Sequence, residues 1–94
     1  MIVKALELST VHICEETAED LSKGKDYGLV VYEKQEYGWF ISVLDFQHIN
    51  PDSLAYVPPD LLLLLGYATG QGCDWIILDR DAEIDKDLPQ YEWK

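Results

Sequence analysis

Acidic side chains recur at every second position near the C-terminal end of the chain, in the stretch ILDRDAEIDKDL. The positions are Asp79, Asp81, Glu83, Asp85 and Asp87. In an extended strand, alternate side chains lie on one face about 6.6–6.8 Å apart, so this stretch would form a straight row of carboxylates. Such a row resembles the negative edge of a nucleic-acid backbone. The alternative is a turn at residues 79–82 followed by a return strand, which would crowd the same acids on one edge.

The same stretch resembles the beginning of a calcium-binding loop, because Asp79, Asp81 and Glu83 alternate as calcium ligands often do. An EF-hand loop also needs glycine at its sixth position and glutamate at its twelfth. Ile84 and Gln90 occupy those positions here. We therefore predict no calcium site of this type in the acidic stretch.

Histidine and cysteine supply four potential zinc ligands: His12, Cys14, His48 and Cys73. Zinc sites favour close pairs of such residues at characteristic spacings, and only His12 and Cys14 are close here. We predict no metal ligand among them and no cofactor. No convergent set of acid, base and nucleophile is visible either, so we predict that the chain is not an enzyme.

The charge balance is strongly acidic, with 18 acids, 7 bases and a formal net charge of −11 over 94 residues. Direct binding to nucleic acid requires cations that displace counterions, and an anionic membrane imposes a similar demand. We therefore predict no direct contact with either. A basic protein partner would be attracted at long range, although the same charge also serves solubility alone.

Aromatic residues are frequent, with three tryptophans and six tyrosines. Tyr91 and Trp93 lie beside acids in the last residues of the chain. Aromatic side chains anchor interfaces because they bury much area with few rotatable bonds. We consider two roles for this tail: it folds back to plug the core, which Leu88-Pro89 as a turn favours, or it contributes to a partner interface.

The hydrophobic pattern predicts strands at residues 2–8, 29–33, 38–44 and 74–78, with helices at residues 14–23 and from Pro58 to about residue 71. Residues 45–57 are expected to form an irregular connection. Five consecutive leucines, Leu61 to Leu65, would be buried on several sides or form a partner surface.

The element order β-α-β-β-α-β, with a C-terminal extension, is that of the ferredoxin-like fold. We predict one α+β domain over residues 1–94, a two-layer sandwich with an antiparallel sheet covered on one face by two helices. The first residues, MIVKALEL, are short and charged, so we expect no signal peptide there, and no apolar run approaches the roughly 20 residues that span a bilayer. A cytoplasmic protein with reduced cysteines, monomeric or homodimeric, is the expectation.

Four short motifs resemble those of a small bacterial family recorded as a domain of unknown function: STVHI at 9–13, YGWF at 37–40, DRD at 79–81 and LPQYEW at 88–93. Cys14 stands where the family pattern would have a threonine helix cap. Members are often carried on plasmids and integrated elements. The resemblance implies a mobile-element setting and no particular chemistry.

Two functions remain open at this point. The first is a non-enzymatic binding module that offers carboxylates to a basic partner, in the extreme a nucleic-acid mimic that inhibits a host defence protein. Its partner-binding residues would be the five acids at 79–87 with Tyr91 and Trp93. The second is an accessory or antitoxin-like protein that binds through its apolar leucine helix.

Overall fold

The computed structural model describes residues 2–48 and 50–93, so Met1, Ile49 and Lys94 lie outside the described residues. Its strands are β1 (Ala5–Ser9), β2 (Val31–Lys34), β3 (Gly38–Ser42) and β4 (Trp75–Asp79). Its helices are α1 (Glu15–Ser22), α2 (Val43–Gln47), α3 (Pro51–Leu54) and α4 (Pro59–Gly70), with a 3-10 helix at Thr10–His12. The α+β class is therefore confirmed.

The four strands form one mixed sheet in the order β1-β4-β3-β2. β3 pairs antiparallel with both β2 and β4, whereas β1 and β4 are direct parallel neighbours. The antiparallel sheet predicted from the sequence is therefore wrong at this edge, and the ferredoxin-like arrangement is not confirmed. The physical reason is that β4 is apolar on both faces and inserts between β1 and β3, where both of its edges are paired.

One face of the sheet forms the core, and the other is open. Leu8, Ile41, Ile76 and Leu78 are at most 2% exposed and pack beneath α1 and α4. The alternating residues of the same strands lie on the open face, where the rings of Tyr32 and Trp75 are 6.1 Å apart. Both longer helices thus cover the same face, as expected from the sequence.

Helix α1 begins and ends where local sequence signals place it. Glu15 and Glu16 lie in its first turn, where carboxylates favour the positive end of the helix dipole. Gly24 follows the helix with a φ of 87°, a left-handed conformation that glycine adopts without steric cost. The hairpin of β2 and β3 is confirmed as well, with its turn between Lys34 and Gly38.

The connection after β3 differs from the sequence prediction. Val43 and Leu44, expected to extend the strand, begin α2 instead, and α3 follows within the segment predicted to be irregular. Asn50 caps α3 by accepting the backbone N–H of Asp52 at 2.9 Å. The β-branched Val43 favoured a strand on local propensity, but its backbone N–H bonds to the carbonyl of Asp74 while α2 packs against α4 and β4.

The leucine helix is confirmed as α4. Leu61, Leu64 and Leu65 are fully buried, whereas Leu63 keeps 47% of its surface exposed. The helix therefore serves mainly the core and leaves part of one apolar face uncovered. No helix in residues 2–48 and 50–93 has the length and apolar character needed to cross a bilayer.

Candidate functional site

The acidic stretch at residues 79–87 does not form a straight row of carboxylates. β4 ends at Asp79, and a turn follows in which the backbone N–H of Ala82 donates to the carbonyl of Asp79 at 3.1 Å. A second turn closes where the N–H of Leu88 donates to the carbonyl of Asp85 at 3.2 Å. The turn alternative is confirmed at residues 79–82, but no return strand follows among the described residues.

Two of the five acids, Asp79 and Asp85, bond to other groups of the same chain. Asp79 is 8% exposed and forms an ion pair with Lys34, and its other carboxylate oxygen accepts the N–H of Asp81 at 2.8 Å. The Lys34 ammonium, followed by that N–H, holds the pKa of Asp79 below its usual value. Asp79 therefore stabilises the end of β4.

Asp85 is the second internal acid. Its carboxylate accepts the backbone N–H of Asp87 at 2.9 Å and the hydroxyl of Tyr67 at 2.9 Å. These two donors, in that order, hold the pKa of Asp85 below its usual value, and the carboxylate raises the pKa of Tyr67 in return. The acids that remain exposed in this stretch are Asp81, Glu83 and Asp87.

His12 fixes the tail of the chain. Its ring is 1% exposed, and its Nε2 accepts the backbone N–H of Asp85 at 3.0 Å. The proton must then reside on Nδ1, which donates to the carbonyl of Pro89 at 2.8 Å. His12 is thus a buried structural residue that ties the first loop of the chain to its last segment.

Two further bonds hold the tail. The N–H of Tyr91 donates to the carbonyl of Val11 at 2.8 Å, and the indole N–H of Trp93 donates to the carbonyl of Ile13 at 3.0 Å. Leu88 is 6% exposed within the core, which confirms that the tail folds back. Trp93 nevertheless keeps 42% of its surface exposed.

Trp93 lies at a groove between α1 and the β2–β3 hairpin, which we call the hairpin groove. The groove has a volume of about 570 Å³, within the range of about 300–1,000 Å³ that is usual for ligand sites. Glu15, Glu19 and Ser22 line one wall because they recur at helical spacing on α1. The residues that line the opposite side are Glu33, Gln35, Glu36, Tyr37, Trp39 and Arg80.

The groove carries an excess of negative charge. Among the described residues that line it there are four glutamates, at positions 15, 19, 33 and 36, and two cations, Lys23 and Arg80. The Arg80 guanidinium lies 4.9 Å from the centre of the Tyr37 ring. In the described part of the chain, neither cation has a carboxylate within 4.0 Å. Sequence analysis missed this groove, because its acids are distant along the chain and each is unremarkable alone.

The cysteines and histidines do not converge. Cys14 is half-buried at the start of α1, Cys73 is buried after α4, and both are free thiols. His48 is exposed at the end of α2. Across residues 2–48 and 50–93, no three His, Cys, Asp or Glu side chains come together as metal ligands. The absence of a metal, a cofactor and catalysis stays a prediction.

The helix cap expected at position 14 comes from elsewhere. Cys14 makes no capping bond to the backbone of α1, and its own N–H donates to the carboxylate of Asp60 at 2.8 Å. The Thr17 hydroxyl donates to the other oxygen of the same carboxylate at 3.1 Å. Asp60, in the first turn of α4, thus accepts the hydrogen bonds at the beginning of α1, although it lies 46 positions after Cys14 in the sequence.

Comparison with known proteins identifies the family. A family model described as the C-terminal domain of a family of unknown function, DUF5983, matches residues 5–93. The match spans nearly the whole chain, so the chain belongs to this family, and the resemblance to an uncharacterised domain family is confirmed. No curated protein and no solved structure matches the chain.

Proposed function

We propose that this domain is a non-enzymatic module that binds a basic protein partner through its negative surface. One observation carries the proposal. Among the described residues, only Asp20 and Asp79 have a cationic side chain within 4.0 Å, so the remaining carboxylates are left without a close counter-charge. A surface of this kind attracts a basic partner at long range and accelerates association at low salt.

The exposed part of the acidic stretch supplies one side of the proposed interface. Asp81, Glu83 and Asp87 accept no hydrogen bond through their side chains within the described ranges and are free to contact a partner. Trp93 and the half-buried Tyr91 adjoin the same tail and would supply aromatic contact area. Asp79 and Asp85 support this surface from within.

The family resemblance suggests where such a module would act. On a plasmid or an integrated element, an acidic protein that occupies the basic groove of a host defence nuclease would protect the element. Nucleic-acid mimicry is the specific form of the proposal, and the cytoplasm is its place. The module would act as a monomer or homodimer without a cofactor.

The test is capture of a partner from the native host with the tagged domain at about 50 mM and about 500 mM salt. Screening of exposed charges should release an electrostatic partner at the higher salt, and duplex DNA should displace it if the acids imitate nucleic acid. The variant Asp81→Asn, Glu83→Gln, Asp87→Asn should then bind the identified partner with a slower on-rate.

The matched control is Glu7→Gln, Glu16→Gln, Asp52→Asn, which removes the same charge from exposed positions elsewhere. Equal association rates for the two triple variants would refute a localised acidic interface. Asp85 is left unchanged in both, because its carboxylate bonds within the fold and its loss would confuse binding with stability.

A second candidate function follows from α4. Pro59, Leu62, Leu63, Gly66 and Tyr67 line a shallow apolar hollow on its outer side. An accessory protein would bind a partner through this face, and a complex of that kind resists salt because apolar burial is not screened. A captured partner that stays bound at high salt and dissociates with Leu63→Lys would favour this function over the first.

A further inference from the structure

We propose that the hairpin groove binds an arginine side chain on an extended basic segment of the protein partner, an inference that rests on the proposed function. The groove brings together carboxylates and aromatic rings from three separate parts of the chain: α1, the β2–β3 hairpin and the C-terminal tail. This combination suits a planar cation, which pairs with carboxylates through its edge and stacks on an aromatic ring through its face.

The charge of the groove favours a cation over an anion. Within the described part of the chain, four glutamates line the groove against two cations, and no ion pair within 4.0 Å is formed among these residues. An incoming guanidinium would therefore find carboxylates that are not already neutralised. Glu19 on α1 and Glu33 on β2 both line the groove and come from different elements, so they are the pair to test.

The aromatic side of the groove already holds one guanidinium. Arg80 lies over Tyr37 at 4.9 Å, so this environment accepts that group within the free protein. In the described chain, no Lys or Arg lies over the ring of Trp93, which is 42% exposed. The bond from its indole N–H to Ile13 fixes the position of this ring before any ligand arrives.

Size distinguishes a peptide side chain from a lone inorganic cation. A volume of about 570 Å³ suits an organic group together with part of its backbone. We infer arginine in preference to lysine because the ammonium of lysine is a compact, strongly hydrated charge, whereas a guanidinium sheds water easily and stacks on flat rings.

The experiment titrates the intact domain with the blocked pentapeptide Gly-Ser-Arg-Ser-Gly and follows the three tryptophan indole N–H signals by NMR. Trp93 and Trp39 line the groove and should shift, while Trp75 lies on the open face of the sheet and serves as an internal reference. The same peptide with citrulline, which keeps the shape and loses the charge, should bind about tenfold more weakly, equivalent to about 1.4 kcal/mol.

Matched variants distinguish binding by the carboxylates of the groove from attraction by the overall negative charge of the domain. Glu19→Gln with Glu33→Gln should weaken the arginine peptide about fivefold or more, as loss of two favourable carboxylates predicts. Glu7→Gln with Asp52→Asn removes the same charge at exposed positions outside both the groove and the acidic stretch, and should change affinity less than about twofold. Trp93→Leu should bind the arginine peptide and the same peptide with lysine in place of arginine with nearly equal affinity, because the ring on which the guanidinium stacks is lost.

Equal shifts with citrulline, equal movement of Trp75, or equal losses in the two variant pairs would each overturn the groove assignment. None of these results would affect the proposed function, which is judged separately by salt-sensitive capture and by the Asp81, Glu83 and Asp87 variant. Conversely, peptide binding in the groove without a salt-sensitive partner would refute the broader proposal while leaving the chemistry of the groove in place.

Discussion

Asp60 provides the most direct test of how this fold is held together. It is 7% exposed, and its carboxylate accepts two bonds from the beginning of α1, from Cys14 N–H at 2.8 Å and from the Thr17 hydroxyl at 3.1 Å. The substitution Asp60→Ala removes both acceptors and leaves a buried hydroxyl without its acidic partner. A helix cap alone contributes about 0.5–2 kcal/mol, and a hydrogen bond to a charged group about 1.5–3 kcal/mol.

Because the two bonds share one carboxylate and are not additive, we expect Asp60→Ala to lower the free energy of unfolding by about 2–4 kcal/mol. A domain of this size has a total of about 5–14 kcal/mol, so the loss is a large fraction. The melting temperature should fall by roughly 10–25 °C. Urea denaturation followed by circular dichroism measures the first quantity, and a thermal scan the second.

Two further variants sharpen the result. Asp60→Asn keeps one acceptor oxygen and should cost less than half as much as Asp60→Ala. A double-mutant cycle between Asp60→Ala and Thr17→Val should give a coupling energy of about 1 kcal/mol or more, since the two side chains contact each other.

The control is Asp52→Ala, an exposed acid in the first turn of α3, which should cost no more than about 0.5–1 kcal/mol. Asp60→Ala within about 0.5 kcal/mol of this control, or a coupling energy near zero, would show that α1 does not depend on the distant carboxylate.

Three other outcomes follow from the structure. Gly38→Ala should destabilise by about 3 kcal/mol or more in urea, because a Cβ at this position would lie 1.7 Å from the carbonyl oxygen of Leu78, while Gly66→Ala, with nothing within 4 Å, should gain up to about 1 kcal/mol. Lys34 lowers the pKa of Asp79, so their ion pair stabilises the fold at pH values above the ordinary Asp pKa of about 4, and this stabilisation is lost as the pH falls through the lower pKa of the folded state. The difference in unfolding free energy between wild type and Lys34→Met should therefore shrink between about pH 6 and pH 2. A difference that stays constant over this range would contradict the prediction. His12→Phe should cost about 2–4 kcal/mol and speed hydrogen exchange across residues 85–91, whereas unchanged exchange would show that the tail is held without the imidazole.

Local signals predicted the elements whose causes are local. Pro58 and Pro59 before a leucine run predicted α4, and Gly24 predicted the end of α1. Strand order was not accessible in this way. The pairing of β1 with β4 joins residues about 70 positions apart, and nothing in either strand alone states its neighbour or direction.

The missed structural contacts share this non-local origin. The family resemblance implies a helix cap at position 14, but the carboxylate that bonds to the beginning of α1 belongs to Asp60 on α4. His12 was weighed as a metal ligand, because a histidine beside a cysteine suggests one. Its two hydrogen bonds run to the tail, 73 and 77 residues away, and only the folded chain shows them.

The acids that cluster along the sequence are not the ones that cluster in the folded structure, and this affects which residues should be mutated to test an interface. The densest run of acids in the sequence is dispersed by two turns, and two of its members, Asp79 and Asp85, are used to hold the fold. The glutamates at 15, 19, 33 and 36 are separate in the sequence, yet they converge on one groove beside the exposed ring of Trp93. Mutating all five acids at 79–87 together would change stability as well as binding, because Asp79 and Asp85 bond within the fold. Glu15 and Glu19 are unsuitable as control positions, because they line the hairpin groove. If the domain binds a basic partner as we propose, the acids to test are those that are both exposed and free of internal bonds, wherever they lie in the chain.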